Sequence, residues 1–438
     1  MTATLAVGMS ATLEAEENLA RRRLAGADVL SLASGEIGLL VQPTIRDRLA
    51  DAAGEIAYGP VVGSLELRAA AAGYFQRRGL PTEPDSIVAG PGSKPLLFAS
   101  VLAAGGDVIV PVPSWVSYAA HAQLAGRDVL PVPIRPGQGG VPDPSRLARA
   151  VVRARRDGKD PRLVVVTVPD NPTGNVADHA VLAELAAVAR DLDLLVLSDE
   201  IYSDLVHDGR PATSPAALAP ERTIVTTGLT KNMALGGWRT GVARLPAGRH
   251  GERLLDLLRG TASQIWSSPP APIQHAAAYA FDEPPAIRDW MAASRRLHAV
   301  VARAAAELFR AAGAELDPVR ATCYLYPSFA PVGDELGRRH GVSDAAGLAR
   351  LLLDRYGVGV IAGPAFGEEP GSWRLRASTS QLYGRTAAER STALHADDPL
   401  RVPWIARSLH RLAAVLAELT GRSVPAGFDG PSHQGDPS

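Results

Sequence analysis

The chain has 438 residues, 46% of them hydrophobic and 21% charged, a balance that builds one large buried core or two ordinary ones and excludes a fibre or a disordered protein. Its 45 basic and 46 acidic side chains leave a formal net charge of −1, so no whole-molecule field draws in nucleic acid or anionic lipid, and small molecules are the expected ligands. The lone cysteine, Cys323, has no partner for an internal disulfide, and the first thirty residues hold no apolar run long enough for a signal or a membrane span, which together fit a reducing cytoplasm.

In chain order, Ala11 to Leu24 sets Leu13, Leu19 and Leu24 among charged residues and predicts an exposed helix whose apolar edge packs on a smaller domain or a partner subunit. The cluster Arg21 to Arg23 lies among Glu14, Glu16 and Glu17, which weighs against a membrane-surface role. From Ile87 to Val242, short β-branched runs alternate with helical patterns, the written form of a parallel sheet covered by helices on both faces. The expected strands are Ile87 to Val88, Val108 to Val110, Val129 to Val132, Leu163 to Val168, Leu194 to Leu197 and Thr223 to Thr226. Between them, Asp178 to Arg190 places Val181, Leu182, Leu185, Val188 and Ala189 on one helical face, as a sheet-covering helix does. Ligands of such sheets bind beyond the carboxyl ends of the strands.

After Pro269 the pattern turns to long Ala- and Arg-rich helices such as Ala286 to Ala312, a short apolar segment from Cys323 to Phe329, and a last helix from Trp404 to Leu419 that Gly421 is placed to cap. This predicts a second, smaller α+β domain. Beyond Pro425 the chain is polar and rich in Gly and Pro, and is expected to be disordered. The resulting division is 1–44 as N-terminal arm and part of the small domain, 45–284 as major domain, 285–424 as small domain and 425–438 as tail.

Three polar segments follow strands in a fixed order: VPDNPTGN around Asn171, LVLSDEIY around Asp199 and TTGLTKNMALGGWRTG around Lys231, spaced by 28 and 32 residues. Together they resemble the pyridoxal 5′-phosphate (PLP) dependent aminotransferases of fold type I, in the aspartate aminotransferase branch, and the likeness runs from about Gly35 to Ser380. The resemblance implies a three-layer α/β/α major domain with a mostly parallel sheet, a smaller α+β domain, and Lys231 holding PLP as a Schiff base. Lys231 follows a strand by a short turn bearing Thr and Gly, which suits a reactive amine at the sheet edge. Asp199 ends an apolar strand, where the family carboxylate keeps the pyridine nitrogen protonated; the alternative for such an Asp is an N-cap of the next helix. Tyr202 and Asn171 match the pair that bonds the ring hydroxyl, although Asn-Pro and Thr-Gly are turn formers in their own right.

For the phosphate, the resemblance implies Arg239, the Thr230 hydroxyl and the turn Gly92, Ser93, Lys94 at a helix start, a turn that also reads as a simple cap. Trp115, in PSWVSY, matches the tryptophan that lies on the cofactor ring. Tyr58, which opens YGPVVGSLELR, matches the tyrosine that reaches the neighbouring subunit's phosphate and so implies a homodimer. A substrate α-carboxylate calls for the planar fork of an arginine. WRLRASTS, aligned without gaps, gives Arg374 that role with Arg376 as runner-up, two positions apart on the same strand face. Gly35, in SGEIG, completes a substrate set with Trp115 and Asn171.

The sequence departs from the family near the expected entrance. IGLLVQP stands where the family has a Pro-Asp-Phe segment, Gly236 stands where it has threonine, and a longer polar connection joins Ser380 to Trp404. No second arginine is assigned to a side-chain carboxylate, so a dicarboxylic substrate is not implied, and no histidine has metal-ligand spacing. The implied activity is transfer of an amino group from an L-amino acid to a 2-oxo acid, with the freed Lys231 amine carrying the Cα proton. Two rivals stand beside it. One is another carbanion reaction on the same cofactor: elimination or replacement at Cβ or Cγ, carbon-carbon bond formation, or oxidation. The other is a non-catalytic sensing domain of the kind found in some transcription regulators, against which the retention of Lys231, Asp199 and Arg239 argues.

Overall fold

The computed structural model describes residues 7–424; the tail expected beyond Pro425 lies outside the described residues. The chain divides into two compact units, one formed by Val41–Arg295 with the residues just before Ala11, the other by Ala11–Leu40 with residues 296–424. The sequence pattern suggests breaks at 44/45 and 284/285, where the long helix Pro285–Ala311 begins, whereas compactness divides the chain at 40/41 and, inside that helix, at 295/296.

The first unit is built on a seven-stranded sheet in the order Ile87–Gly90, Gly241–Arg244, Thr223–Gly228, Leu195–Asp199, Pro161–Thr167, Asp107–Val112, Val129–Pro133. Six of these strands are those read from the sequence. The seventh, Gly241–Arg244, is unanticipated and runs antiparallel to both of its neighbours. Its four residues end in a charge that reads as surface, yet Arg244 is buried, with Nε donating to Thr82 Oγ1 and Nη2 to the Pro81 carbonyl. Successive side chains of a strand point to opposite faces, and the two cores follow that period. Val108, Val110, Leu163, Val165 and Leu197 pack on one face with the helix Ser93–Ala104. Ile109, Val164, Val166 and Val196 pack on the other with the helices Pro144–Arg156 and His179–Asp191. Helices cover both faces, the three-layer arrangement expected.

In the second unit Leu30–Ser31 pairs in parallel with Val358–Gly359, and Ile361–Ala362, Leu375–Ser378 and Tyr324–Leu325 form a small antiparallel sheet. The helix Ala11–Leu24 forms as read, burying Leu19 against Gly359 and leaving Leu13 and Leu24 exposed. The last helix, Pro403–Thr420, ends at Gly421 in a left-handed conformation (φ 68°) that favours glycine. The connection before it is not wholly irregular: Thr386 and Glu389 form a reciprocal capping box that starts a helix from Ala387 to His395. Among the described residues no helix is long and apolar enough to cross a membrane.

Candidate active site

The parallel strands of the first unit bring Thr167, Asp199 and Thr226 side by side in register at their carboxyl ends. Asp199 is 3% exposed. Burial pushes its carboxyl up to about 6, against the pull of a hydroxyl bond from Tyr118 (2.9 Å to Oδ2), the Ile201 N–H (3.3 Å to Oδ1) and the nearby charge of Lys231. Tyr118 is itself buried, and its hydroxyl lies 2.7 Å from Thr167 Oγ1. Burial, then the charge of Asp199, raise the Tyr118 phenol well above its ordinary value, so it stays a donor. A carboxylate tuned this way gains most from a cation placed beside it, which would draw its pKa back down.

Asn171 sits in the turn after Pro161–Thr167, and its Nδ2 lies 3.4 Å from the Tyr202 hydroxyl. The turn is pinned by Asp170, whose Oδ2 accepts from the Thr173 hydroxyl (2.5 Å) and whose carboxyl is pushed up to about 7 by burial. Lys231 lies on the one-turn helix Leu229–Asn232, with Nζ 5.8 Å from the centre of the Tyr202 ring. Glycine is required where this turn, the adjoining strand and the helix Ser93–Ala104 converge: a Cβ on Gly228 would lie 2.7 Å from the Thr240 carbonyl, and one on Gly241 2.6 Å from Ser93 N.

Three cations gather at that helix start. Arg239 adopts a left-handed backbone (φ 54°), a strained conformation for a residue with a Cβ, and a Cβ on Gly92 would fall 2.3 Å from its Nη2. Burial, followed by the charges of Arg239 and Lys231, lowers the Lys94 pKa. With Thr230 on the Lys231 turn and Ser93 at the first helical position, the group has the form of an anion site. Lys94 Nζ lies 5.0 Å from the Trp115 ring, which meets Tyr118 edge-on at 5.3 Å. His121, edge-on to Trp115 at 6.3 Å, is pushed down to about 4 by burial and by Lys94, so it is neutral near pH 7.

The first unit therefore brings together Ser93, Lys94, Trp115, Asn171, Asp199, Tyr202, Thr230, Lys231 and Arg239. Tyr58, in the same unit, is 89% exposed, as is its neighbour Ile56 at 96%. The other three predicted residues belong to the second unit, where the two arginines differ sharply. Arg374 is 41% exposed at its side chain, ion-paired to Glu368 at 3.6 Å, and lies 5.7 Å from the Tyr326 ring. Arg376 is fully buried, held between the rings of Tyr324 (4.8 Å) and Phe366 (5.3 Å), and donates from Nη2 to the carbonyl of Ala33, two residues before Gly35. Sequence reasoning did not single out Tyr118 or Thr167. The signal for Tyr118 was its place three residues after Trp115, one helical turn on. Among the described residues no group of three or more His, Cys, Asp or Glu side chains is placed to hold a metal ion.

Comparison with known proteins gives this geometry a family. Residues 27–390 match the family model of aminotransferase class I and II. A probable aspartate/prephenate aminotransferase of Thermus aquaticus is 36% identical over 59% of this chain and 66% of its own length. The aspartate/prephenate aminotransferase of Thermus thermophilus is 32% identical over 87% of this chain and 94% of its own. A solved structure of aspartate aminotransferase from Thermus thermophilus with maleate superposes with a TM-score of 0.78 at 29% identity, covering 94% of this chain and 97% of that one. The chain belongs to the class I and II aminotransferases, and it is an aminotransferase.

Proposed function

We propose that the enzyme uses PLP, held covalently through the ε-amine of Lys231, to move an amino group from an L-amino acid to a 2-oxo acid. The observation that carries this reading is Asp199: a buried carboxylate with a raised pKa, fixed by Tyr118 at a strand's carboxyl end and in reach of the Lys231 charge. The residues present fit the cofactor. Arg239, Lys94, the Ser93 amide and Thr230 suit a phosphate, and Asn171 with Tyr202 suits a ring hydroxyl. Trp115 suits the ring face.

Once bound, PLP supplies an electron sink for the pair released when the Cα–H bond of the amino acid breaks. Asp199 would keep the ring nitrogen protonated, and Lys231 Nζ would take the proton from Cα and deliver it to the cofactor carbon that bears the transferred nitrogen. For the substrate α-carboxylate we keep Arg374 as the first candidate and Arg376 as the runner-up. The Arg374 guanidinium is partly open to solvent beside Glu368, whereas Arg376 is fully buried between two rings and bonded to the Ala33 carbonyl, which leaves no face open to a substrate. Tyr58 and Ile56, an aromatic and an aliphatic side chain left almost wholly in water, support a homodimer in which Tyr58 reaches the neighbouring site. The single buried cysteine suits a reducing cytoplasm.

Aspartate as donor and prephenate as acceptor are the first pair to try, because the relatives are named for them. The purified chain loaded with PLP should be yellow, lose that colour on adding a good amino donor, and release the matching 2-oxo acid. Lys231→Ala should lower the rate at least about 10³-fold. Formation of elimination or replacement products from an amino-acid panel, with no 2-oxo acid from transfer, would refute transamination.

A further inference from the structure

The residue after Lys231 is tied to a buried ionic network whose carboxylate lies two residues after Tyr202. Lys231 sits on a helix of one turn, and an isolated turn does not hold its own geometry, because fixing its dihedrals costs more than its hydrogen bonds return. Its orientation depends on what its side chains bind. Asn232 is buried, and its Nδ2 donates to Asp204 Oδ2 at 2.7 Å. Asp204 belongs to the short 3₁₀ turn Ser203–Leu205 that follows Tyr202. One bond thus joins the turn carrying the candidate cofactor amine to the turn carrying the candidate hydroxyl partner.

Asp204 is anchored from behind. Its Oδ1 accepts from Arg78 Nη2 (2.5 Å) and Nε (3.2 Å), and its Oδ2 also accepts from the Tyr74 hydroxyl (3.1 Å). Arg78 stacks 3.5 Å over the Tyr74 ring and continues to Glu283 (2.5 Å), which Arg77 also holds (2.7 Å). A carboxylate so heavily paired contributes little net field at Lys231; what it contributes is position. We infer that Asp204 is a positioning residue for Lys231, acting through Asn232. The inference rests on the reading of Lys231 as the cofactor amine.

The test is a spectrophotometric pH titration of the PLP-loaded full-length enzyme, with thermal unfolding measured alongside. Asn232→Ala cuts the link and leaves the Asp204–Arg78–Glu283 network whole, so its melting temperature should stay near that of the parent. The midpoint of its visible band should nevertheless move by roughly half a unit or more, as misplacement changes what the Lys231 nitrogen contacts. Its kcat should fall about tenfold with a smaller change in KM. Asp204→Asn should move the midpoint in the same direction, and the double variant should be no worse than the poorer single, since both break one link. Asn232→Gln, which keeps the amide donor, should recover part of the shift. A parent enzyme with a normal band, whose midpoint Asn232→Ala leaves within about a tenth of a unit, overturns the inference while the cofactor reading stands. A parent with no pH-sensitive band at all overturns both. If Asp204→Asn does not fold, the Asn232 variants alone decide.

Discussion

Asp199 in the first unit and Arg376 in the second are both buried charges beside aromatic side chains, and they are managed by opposite means. Asp199 can escape its charge by taking a proton, and burial drives it that way, to about 6. Arg376 has no such escape, because a guanidinium stays protonated at any pH a protein survives. It is held by ring faces and a backbone carbonyl instead. The contrast teaches that only the first of the two is poised to respond to a ligand. A carboxylate poised near neutrality is completed by a cation such as a protonated ring nitrogen, whereas a permanent cation shut between rings serves the packing of its own unit.

The sharpest way to break this contrast lies in the second unit. Arg374→Ala should lower kcat/KM for every amino-acid substrate by roughly 10²- to 10³-fold, as removing the arginine of an arginine–carboxylate pair does. Arg376→Ala, which empties a packed space between two rings, should act mainly on thermal stability. Steady-state kinetics and melting temperatures of the two variants decide, and the reverse ranking would give the role to Arg376.

A smaller effect is expected on the carboxylate side. Affinity for PLP should fall as pH drops through the Asp199 titration, since the protonated acid no longer favours a protonated ring nitrogen. Tyr118→Phe removes a donor that favours the ionised form, so the fall should begin at higher pH, with cofactor affinity near neutrality weaker by about tenfold. Cofactor dissociation constants measured across pH for parent and variant test this, and coincident curves would mean Tyr118 only fills space.

The least effect should come from Glu200, the neighbour of Asp199, whose carboxyl burial likewise pushes up to about 7. The folded chain then keeps a proton that the unfolded chain has released, from about pH 4.5 upward. The stabilisation from this group is therefore complete below that pH and is lost as pH rises towards 7. Glu200→Gln should flatten the pH dependence of the cofactor-free protein's urea midpoint between pH 5 and 7, an effect on the order of 1 kcal/mol. An unchanged slope would show that Glu200 is ionised throughout.

The uneven legibility of the two units has the same physical root. Asp199, Asn171 and Lys231 stand where strands end, and a strand's end is written locally as an apolar run meeting a polar turn, so these residues could be read one segment at a time. Tyr118 could not, because its role exists only once strand pairing sets Thr167 beside Asp199. Arg374 and Arg376 share a strand face, and periodicity alone does not separate them. The difference comes from Tyr324 and Phe366, which reach Arg376 from other segments of the chain. The strand Gly241–Arg244 escaped notice because it is short and ends in a charge. The helix Ala387–His395, by contrast, announces itself in the Thr386 and Glu389 pair, a local signal that polar composition masked.

The pairing of Leu30 and Ser31 with Val358 and Gly359 sets an order of events during synthesis. The opening helix and strand leave the ribosome while the segment that shelters Leu19 is still untranslated, and the entire stretch from Val41 to Arg295 emerges between them. The seven-stranded unit can thus complete itself first, and the smaller one must wait for the chain to circle back.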